Sequence, residues 1–238
     1  MVRAPRLEGE GWVRGFSWLR VFNPSCKICL EFRYSKFGFI EGVMRIISGT
    51  SRGRRLLSPK SPAVRPTSDR VKESIFNILR EEVEGKAVLD LFAGTGNLGI
   101  EALSRGATKA IFVEKGRQAL RLIQKNLKKF GLEDQTEIIP KDVSRAIGIL
   151  KRRGESFDVI FMDPPYERGE VKRSLKKLNS HPIYGSNTLL VIEHHRREPL
   201  PHPIEGWNLI RQQRIGDTFL SFLTPHQEAC TTEVEIKS

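Results

Sequence analysis

The residues best suited to chemistry in this chain are Asp163, Pro164, Pro165 and Tyr166, which follow directly on the apolar run Phe157–Met162. Two consecutive prolines fix φ and carry no N–H, so the turn offers acceptors only, the Asp163 carboxylate and the Pro164 carbonyl. Acceptors without donors suit an exocyclic NH₂ group. On a nucleobase the lone pair of that nitrogen is delocalised into the ring. Two acceptors holding its hydrogens favour a pyramidal nitrogen able to attack a methyl group. Tyr166 adds a ring that can stack on a base turned out of its helix. The plain alternative is an ordinary Pro-Pro turn after a strand.

A second constellation lies upstream. Leu89-Asp90-Leu91-Phe92 runs into Ala93-Gly94-Thr95-Gly96-Asn97-Leu98-Gly99, and Glu114 follows Gly94 by 20 residues. Gly94, Gly96 and Gly99 satisfy G-x-G-x-x-G between a strand and a helix. There a tight turn through Phe92, Ala93 and the glycines brings backbone N–H groups to a ligand, and a later carboxylate accepts from a ribose diol. Glycines that merely pack helix on strand would read the same way. NAD and S-adenosylmethionine both fit this spacing. Asp90, placed to hold the amino acid portion of a nucleotide cofactor, and Asp142, suited to the exocyclic amine of an adenine, favour S-adenosylmethionine once Asp163–Tyr166 is considered. A strand-end Asp can equally be a helix cap.

Metal chemistry has little support. Cys26 and Cys29 form a C-x-x-C pair with no second pair behind it, and Cys230 is distant. Four zinc ligands are not in reach, and a reducing cytosol is the simpler setting. His194 and His195 would point to opposite sides of a strand end, so a loop or surface role is expected.

The elements that must position these groups follow from the apolar pattern. Short runs at Ala87–Phe92, Ala110–Val113, Glu137–Pro140, Phe157–Met162 and Thr188–Ile192 alternate with amphipathic stretches at about 98–105, 116–130, 143–153 and 169–179. That alternation predicts an α/β fold with a mainly parallel sheet, helices on both faces, and ligands at the carboxyl ends of the strands. Trp207–Arg214 and Thr218–Leu223 read as a closing antiparallel hairpin. Upstream, Arg45–Gly49 and Arg54–Leu57 predict a hairpin with a basic tip. Pro59, Pro62 and Pro66 keep the next stretch extended, and a helix capped by Thr67, Ser68 or Asp69 runs to near Gly85. The expected division is an N-terminal extension (1–43), a basic hairpin and helix (44–84), the catalytic sheet (85–225) and a tail (226–238).

The 238 residues carry 40 Lys+Arg against 28 Asp+Glu, a formal charge of +12. More than half of it sits on the 37 residues 44–80, with nine basic side chains against Asp69 and Glu73, whereas residues 81–238 are nearly balanced. Arginines spaced by Gly, Pro and Thr are the footprint of a surface for polyanions. The lysine-rich stretches at 125–129 and 172–177 read as solvated helix faces. No run reaches the roughly 18 apolar residues of a membrane span, and no secretory signal precedes the sheet. A cytoplasmic location is expected.

Several segments together resemble the RsmD family: Arg45-Ile46-Ile47-Ser48-Gly49, Arg52-Gly53-Arg54, Arg65-Pro66-Thr67-Ser68-Asp69-Arg70-Val71-Lys72-Glu73, Leu89–Gly96 and Gly99–Gly106, joined to Asp163–Tyr166. The resemblance covers about residues 44–224 and leaves out 1–43. It implies a Rossmann-like methyltransferase sheet and transfer of methyl from S-adenosylmethionine to the N2 amine of a guanine in 16S ribosomal RNA, in the small subunit or an assembly intermediate. The catalytic group would be Asp163, Pro164, Pro165 and Tyr166; the cofactor would sit on Asp90, Phe92, Ala93, Gly94, Gly96, Glu114 and Asp142. RNA would be gripped by Arg52, Arg54, Arg55, Arg65, Thr67 and Arg70. No metal and no protein partner are expected, and the chain would act as a monomer. Rival readings are a DNA adenine-N6 or cytosine-N4 amino-methyltransferase, an NAD-dependent oxidoreductase, and a non-catalytic RNA-binding scaffold.

Overall fold

Continuous apolar runs such as Val88–Leu89 and Val159–Met162 can be satisfied only by a sheet buried on both faces, and that is how the chain folds. The computed structural model describes residues 44–58, 69–80, 82–166 and 168–226. The expectations for the extension 1–43 with Cys26 and Cys29, for Pro59, Pro62, Arg65, Pro66 and Thr67, and for the tail beyond residue 226 lie outside the described residues.

Among the described residues, seven strands and five α-helices follow in chain order: α1 (Asp69–Leu79), β1 (Ala87–Asp90), α2 (Asn97–Ser104), β2 (Lys109–Val113), α3 (Arg117–Phe130), β3 (Thr136–Ile139), α4 (Val143–Arg152), β4 (Phe157–Met162), α5 (Glu170–Ser180), β5 (Tyr184–His195), β6 (Trp207–Ile215) and β7 (Thr218–Pro225). The sheet order is β3-β2-β1-β4-β5-β7-β6. The first five strands are mutually parallel, and β7 and β6 close the sheet antiparallel. Strand order reverses between β1 and β4, so the crevice beyond their carboxyl ends is where a ligand of such a sheet belongs.

The two-residue period of the strands divides the core. Val88, Phe112, Val159, Phe161, Val191 and Phe222 face α1, α2 and α3, whereas Leu89, Ile111, Ile160, Met162, Leu190 and Ile192 face α4 and α5. In α3 the buried residues Ile123, Asn126, Leu127 and Phe130 recur at helical spacing, and Gly131 in the left-handed region ends the helix. Among the described residues no helix is long and apolar enough to cross a membrane.

Three expectations need correction. The basic hairpin reduces to one bridge, Arg45 with Arg55, and three cross-chain bonds: Ile46 N–H to Arg54 O (2.9 Å), Gly53 N–H to Ile46 O (2.8 Å) and Leu56 N–H to Met44 O (2.8 Å). Other amides of this arm turn to α2, where Thr50 N–H meets Ser104 O (2.8 Å) and Ser51 N–H meets Ser104 Oγ (2.9 Å). Helix α1 stops at Leu79 rather than near Gly85, because Arg80 enters the left-handed region at φ 45°. Strand β5 is much longer than Thr188–Ile192, so His194 and His195 are strand residues. His194 is buried, held by Glu198 O (3.0 Å) and Ser221 Oγ (2.9 Å), and burial lowers its pKa.

Candidate active site

A cleft of about 910 Å³ opens at the strand reversal. Parallel register places Asp90 beside Phe161, and Leu91 N–H donates to Phe161 O (3.0 Å), so the residues after β1 and the Asp163 turn after β4 leave the sheet side by side. Asp90, Phe92, Ala93, Gly94, Glu114, Asp142, Asp163, Pro164, Pro165 and Tyr166 all line this cleft, joined by Arg70 from α1.

The glycines divide the labour. Gly94 and Gly96 adopt φ 54° and 81°, turning the chain from β1 into α2. Gly99 allows close packing: a Cβ there would lie 2.3 Å from Phe112 Cε1. Gly96 does not line the cleft; it is the N-cap of α2. Glu114 is tied down twice, accepting from Gly94 N–H (3.0 Å) through one oxygen and from Lys115 N–H (2.8 Å) and Gly116 N–H (2.6 Å) through the other. A carboxylate has about four lone-pair sites, two on each oxygen, so the oxygen that accepts only from Gly94 keeps room for a ligand hydroxyl while the other is filled. Asp142 does cap a helix: Oδ1 accepts from Arg145 N–H (3.0 Å) and Oδ2 lies 3.4 Å from Arg145 Nε.

Asp90 sits deepest. Burial, together with the neighbouring Asp163 charge, pushes its carboxyl up to about 7, although the backbone N–H groups of Gly99 and Phe92 donate to it. Tyr166 is anchored rather than loose. Its hydroxyl donates to Glu193 Oε1 (2.9 Å) and its ring tilts against His195 at 5.4 Å. Burial and the Glu193 charge hold the phenol well above its ordinary pKa, so it stays protonated. Asp90, Glu114 and Asp163 thus bring three carboxyl groups to one space, which Pro164 also lines. That suits a ligand carrying positive charge and N–H or O–H donors.

The expected RNA-gripping residues separate. Arg70 reaches the cleft. Arg52 and Arg55 stay exposed on the arm. Arg54 is exposed as well and is also tied down: its guanidinium donates to Lys129 O and Ser51 Oγ (3.4 Å) and lies 4.3 Å over the Phe130 ring. Lys129 in turn donates to Arg55 O (2.6 Å), so this lysine is more than a solvated face.

The sequence reading missed the polar groups that brace the site. Lys72 and Glu101 are both fully buried, 3.2 Å apart. Lys72 also donates to Arg45 O and to Asn97 Oδ1 (2.9 Å), and desolvation lowers its pKa. Glu101 accepts from Ile47 N–H (2.8 Å), Ser48 N–H (3.0 Å) and Arg105 Nε (2.9 Å). Asn126 accepts from Leu57 N–H (2.7 Å) and donates to Leu57 O (3.1 Å) and Thr95 O (2.9 Å), linking the arm to the glycine loop. Each of these polar residues stands at a core position of an apolar helix stripe, and that misplacement was the available signal. Among the described residues no group of side chains has the makings of a metal site.

With this geometry in hand, the relatives can be weighed. The family described as Conserved hypothetical protein 95 matches residues 44–224. Bacillus subtilis YlbH is 38% identical over 175 residues, 74% of this chain and 95% of its own length. Ribosomal RNA small subunit methyltransferase D of Escherichia coli is 35% identical, over 74% of this chain and 86% of its own length. The solved structure of Escherichia coli yhhF superposes with a TM-score of 0.69 at 30% identity, covering 78% of this chain and 99% of that one. A sheet of this order, a glycine loop and an Asp-Pro-Pro-Tyr turn meeting at its reversal, and matches that span nearly whole relatives agree on one placement: this chain belongs to the Conserved hypothetical protein 95 family of RsmD-like methyltransferases.

Proposed function

We propose that this protein transfers the methyl group of S-adenosylmethionine to the exocyclic N2 amine of a guanine in 16S ribosomal RNA, within the small subunit or an assembly intermediate. The observation that carries the reading is the Asp163–Pro164 acceptor pair leaving β4 beside the buried Asp90 of β1, in one cleft with Glu114. The relative named ribosomal RNA small subunit methyltransferase D supports the substrate class.

The cleft fits S-adenosylmethionine, which supplies an electrophilic methyl carbon on a sulfonium. When it is bound, Asp90 would face its amino acid portion, Glu114 a ribose hydroxyl, and Asp142 with the start of α4 its base. Asp163 and Pro164 O accept the two N2 hydrogens of the guanine, turning the nitrogen lone pair out of the ring and toward the methyl carbon. The N–C bond forms as the S–C bond breaks, and the amine then loses one proton. No residue need act as a covalent nucleophile. The chain orients the pair and excludes water, with Tyr166 fixed by Glu193 as one wall for the base.

The test is methyl transfer to small subunits prepared from cells lacking this activity, followed by mass mapping of the RNA. N2-methylguanosine at one position is expected, and Asp163→Ala should abolish turnover while sparing cofactor affinity. A methylated adenine or cytosine amine, or substantial turnover in the Asp163→Ala protein, refutes the reading.

A further inference from the structure

A second groove, of about 640 Å³, runs between α1 and the edge strand β6. Arg70, Ser74, Asn77 and Arg80 line one side at helical spacing, and Arg211 and Gln213 line the other at strand spacing. The two sides are joined by Ser74 Oγ and Gln213 Oε1, 3.1 Å apart. Arg70, Arg80 and Arg211 are exposed, and among the described residues none of them forms an ion pair. Among the described residues, Glu73 is the one acidic side chain lining the groove.

The groove leads into the active-site cleft. Arg70 lines both, and Ile215, which continues the β6 stripe of Arg211 and Gln213, lines the cleft. From Arg70 to Arg80 the helical rise gives about 15 Å, and from Arg211 to Ile215 the strand rise gives about 13 Å. These matched rails accommodate a short stretch of a single strand. Their donors are guanidiniums and amides with no aromatic platform, which suits phosphates rather than bases.

We propose that the α1–β6 groove carries the single-stranded RNA flanking the target nucleotide, with Arg70 on a phosphate at the cleft end and Arg80 and Arg211 on phosphates at the far end. This rests on the RNA substrate proposed above. It adds a track on the opposite side of α1 from the basic arm, and it assigns Arg211, a residue far from the basic segment in sequence, to substrate binding.

The probe is a fluorescent single-stranded oligouridylate, titrated by anisotropy across a salt series. Each lost phosphate contact on a single strand lowers the slope of log K against log salt by about 0.7, so Arg80→Gln with Arg211→Gln should lower it by about 1.4 and weaken low-salt binding about tenfold or more. Glu73→Gln should tighten binding. An unchanged thermal shift with S-adenosylhomocysteine reports that the double variant is folded. Wild-type slope and affinity in the double variant, or no binding of oligouridylate by the wild type, overturns the groove. Methyl transfer to small subunits is scored separately. If it succeeds while the double variant binds like wild type, the groove fails and the activity stands. If the slopes change as expected while no ribosomal RNA is methylated, the activity fails and the groove stands.

Discussion

Replacing Asp90 by Asn tests the electrostatics of the cleft at its deepest point. Asp90 is 2% exposed, and burial together with the Asp163 charge lifts its carboxyl from 3.8 to about 7. At 1.36 kcal/mol for each tenfold in proton affinity, ionising it in the folded chain costs about 4 kcal/mol more than in the unfolded chain. Between these two pKa values the folded chain keeps a proton that the unfolded chain has lost. The associated stability is therefore fully present below about pH 4 and is lost as pH rises through about 7. An asparagine cannot ionise and carries no such slope. The stability difference between Asp90→Asn and wild type should thus grow in favour of the variant by about 4 kcal/mol from pH ~4 to ~8. Urea midpoints of both proteins across that range measure it, and taking the difference cancels the titrating groups that do not interact with Asp90. The same geometry predicts that S-adenosylhomocysteine, whose ammonium favours the ionised carboxylate, releases a proton from the wild type near neutral pH and none from the variant. Calorimetry in buffers of different ionisation heat reads that proton. A stability difference that does not change with pH refutes the reasoning.

Lys72→Met removes one of the two cations paired with the buried Glu101, Arg105 being the other, and removes the donor to Arg45 O and Asn97 Oδ1, so a loss of about 1–3 kcal/mol is expected in denaturant unfolding. Pairing it with Glu101→Leu should not restore stability, because Ile47 N–H and Ser48 N–H then lose their acceptor. At Gly49 a Cβ would lie 1.7 Å from Ser104 O with φ at 81°, so Gly49→Ala must push the arm off α2. It should lower the melting temperature and expose Ser51 N–H to hydrogen exchange.

The parallel core was legible because its strands are uninterrupted apolar runs that meet turn residues: Phe157–Met162 has the bounds read from sequence. Of strand β5 only Thr188–Ile192 was, since Tyr184-Gly185-Ser186-Asn187 carries turn composition and is extended by pairing Tyr184 with Phe157, a tertiary effect. The residues around the cleft were legible for a similar reason: strand ends and glycine turns announce themselves locally. What braces them was not. Lys72 and Glu101 are 29 residues apart, and neither reveals its partner. Arg54 shows the limit for charge, because composition counts a guanidinium without telling whether RNA or the Phe130 ring takes it.

The arm's anchorage on α2 has an entropic consequence. Ile47, Ser48, Thr50 and Ser51 are bound to Glu101 and Ser104, and Met44, Ile46 and Leu56 share the hydrophobic core with the sheet. A basic surface loop usually keeps its freedom until a partner orders it, and that ordering weakens binding. Here the backbone carrying Arg52 and Arg55 is fixed when the chain folds. A polyanion that meets it finds the arginine backbones already in place and gives up only its own freedom and that of the side chains it touches.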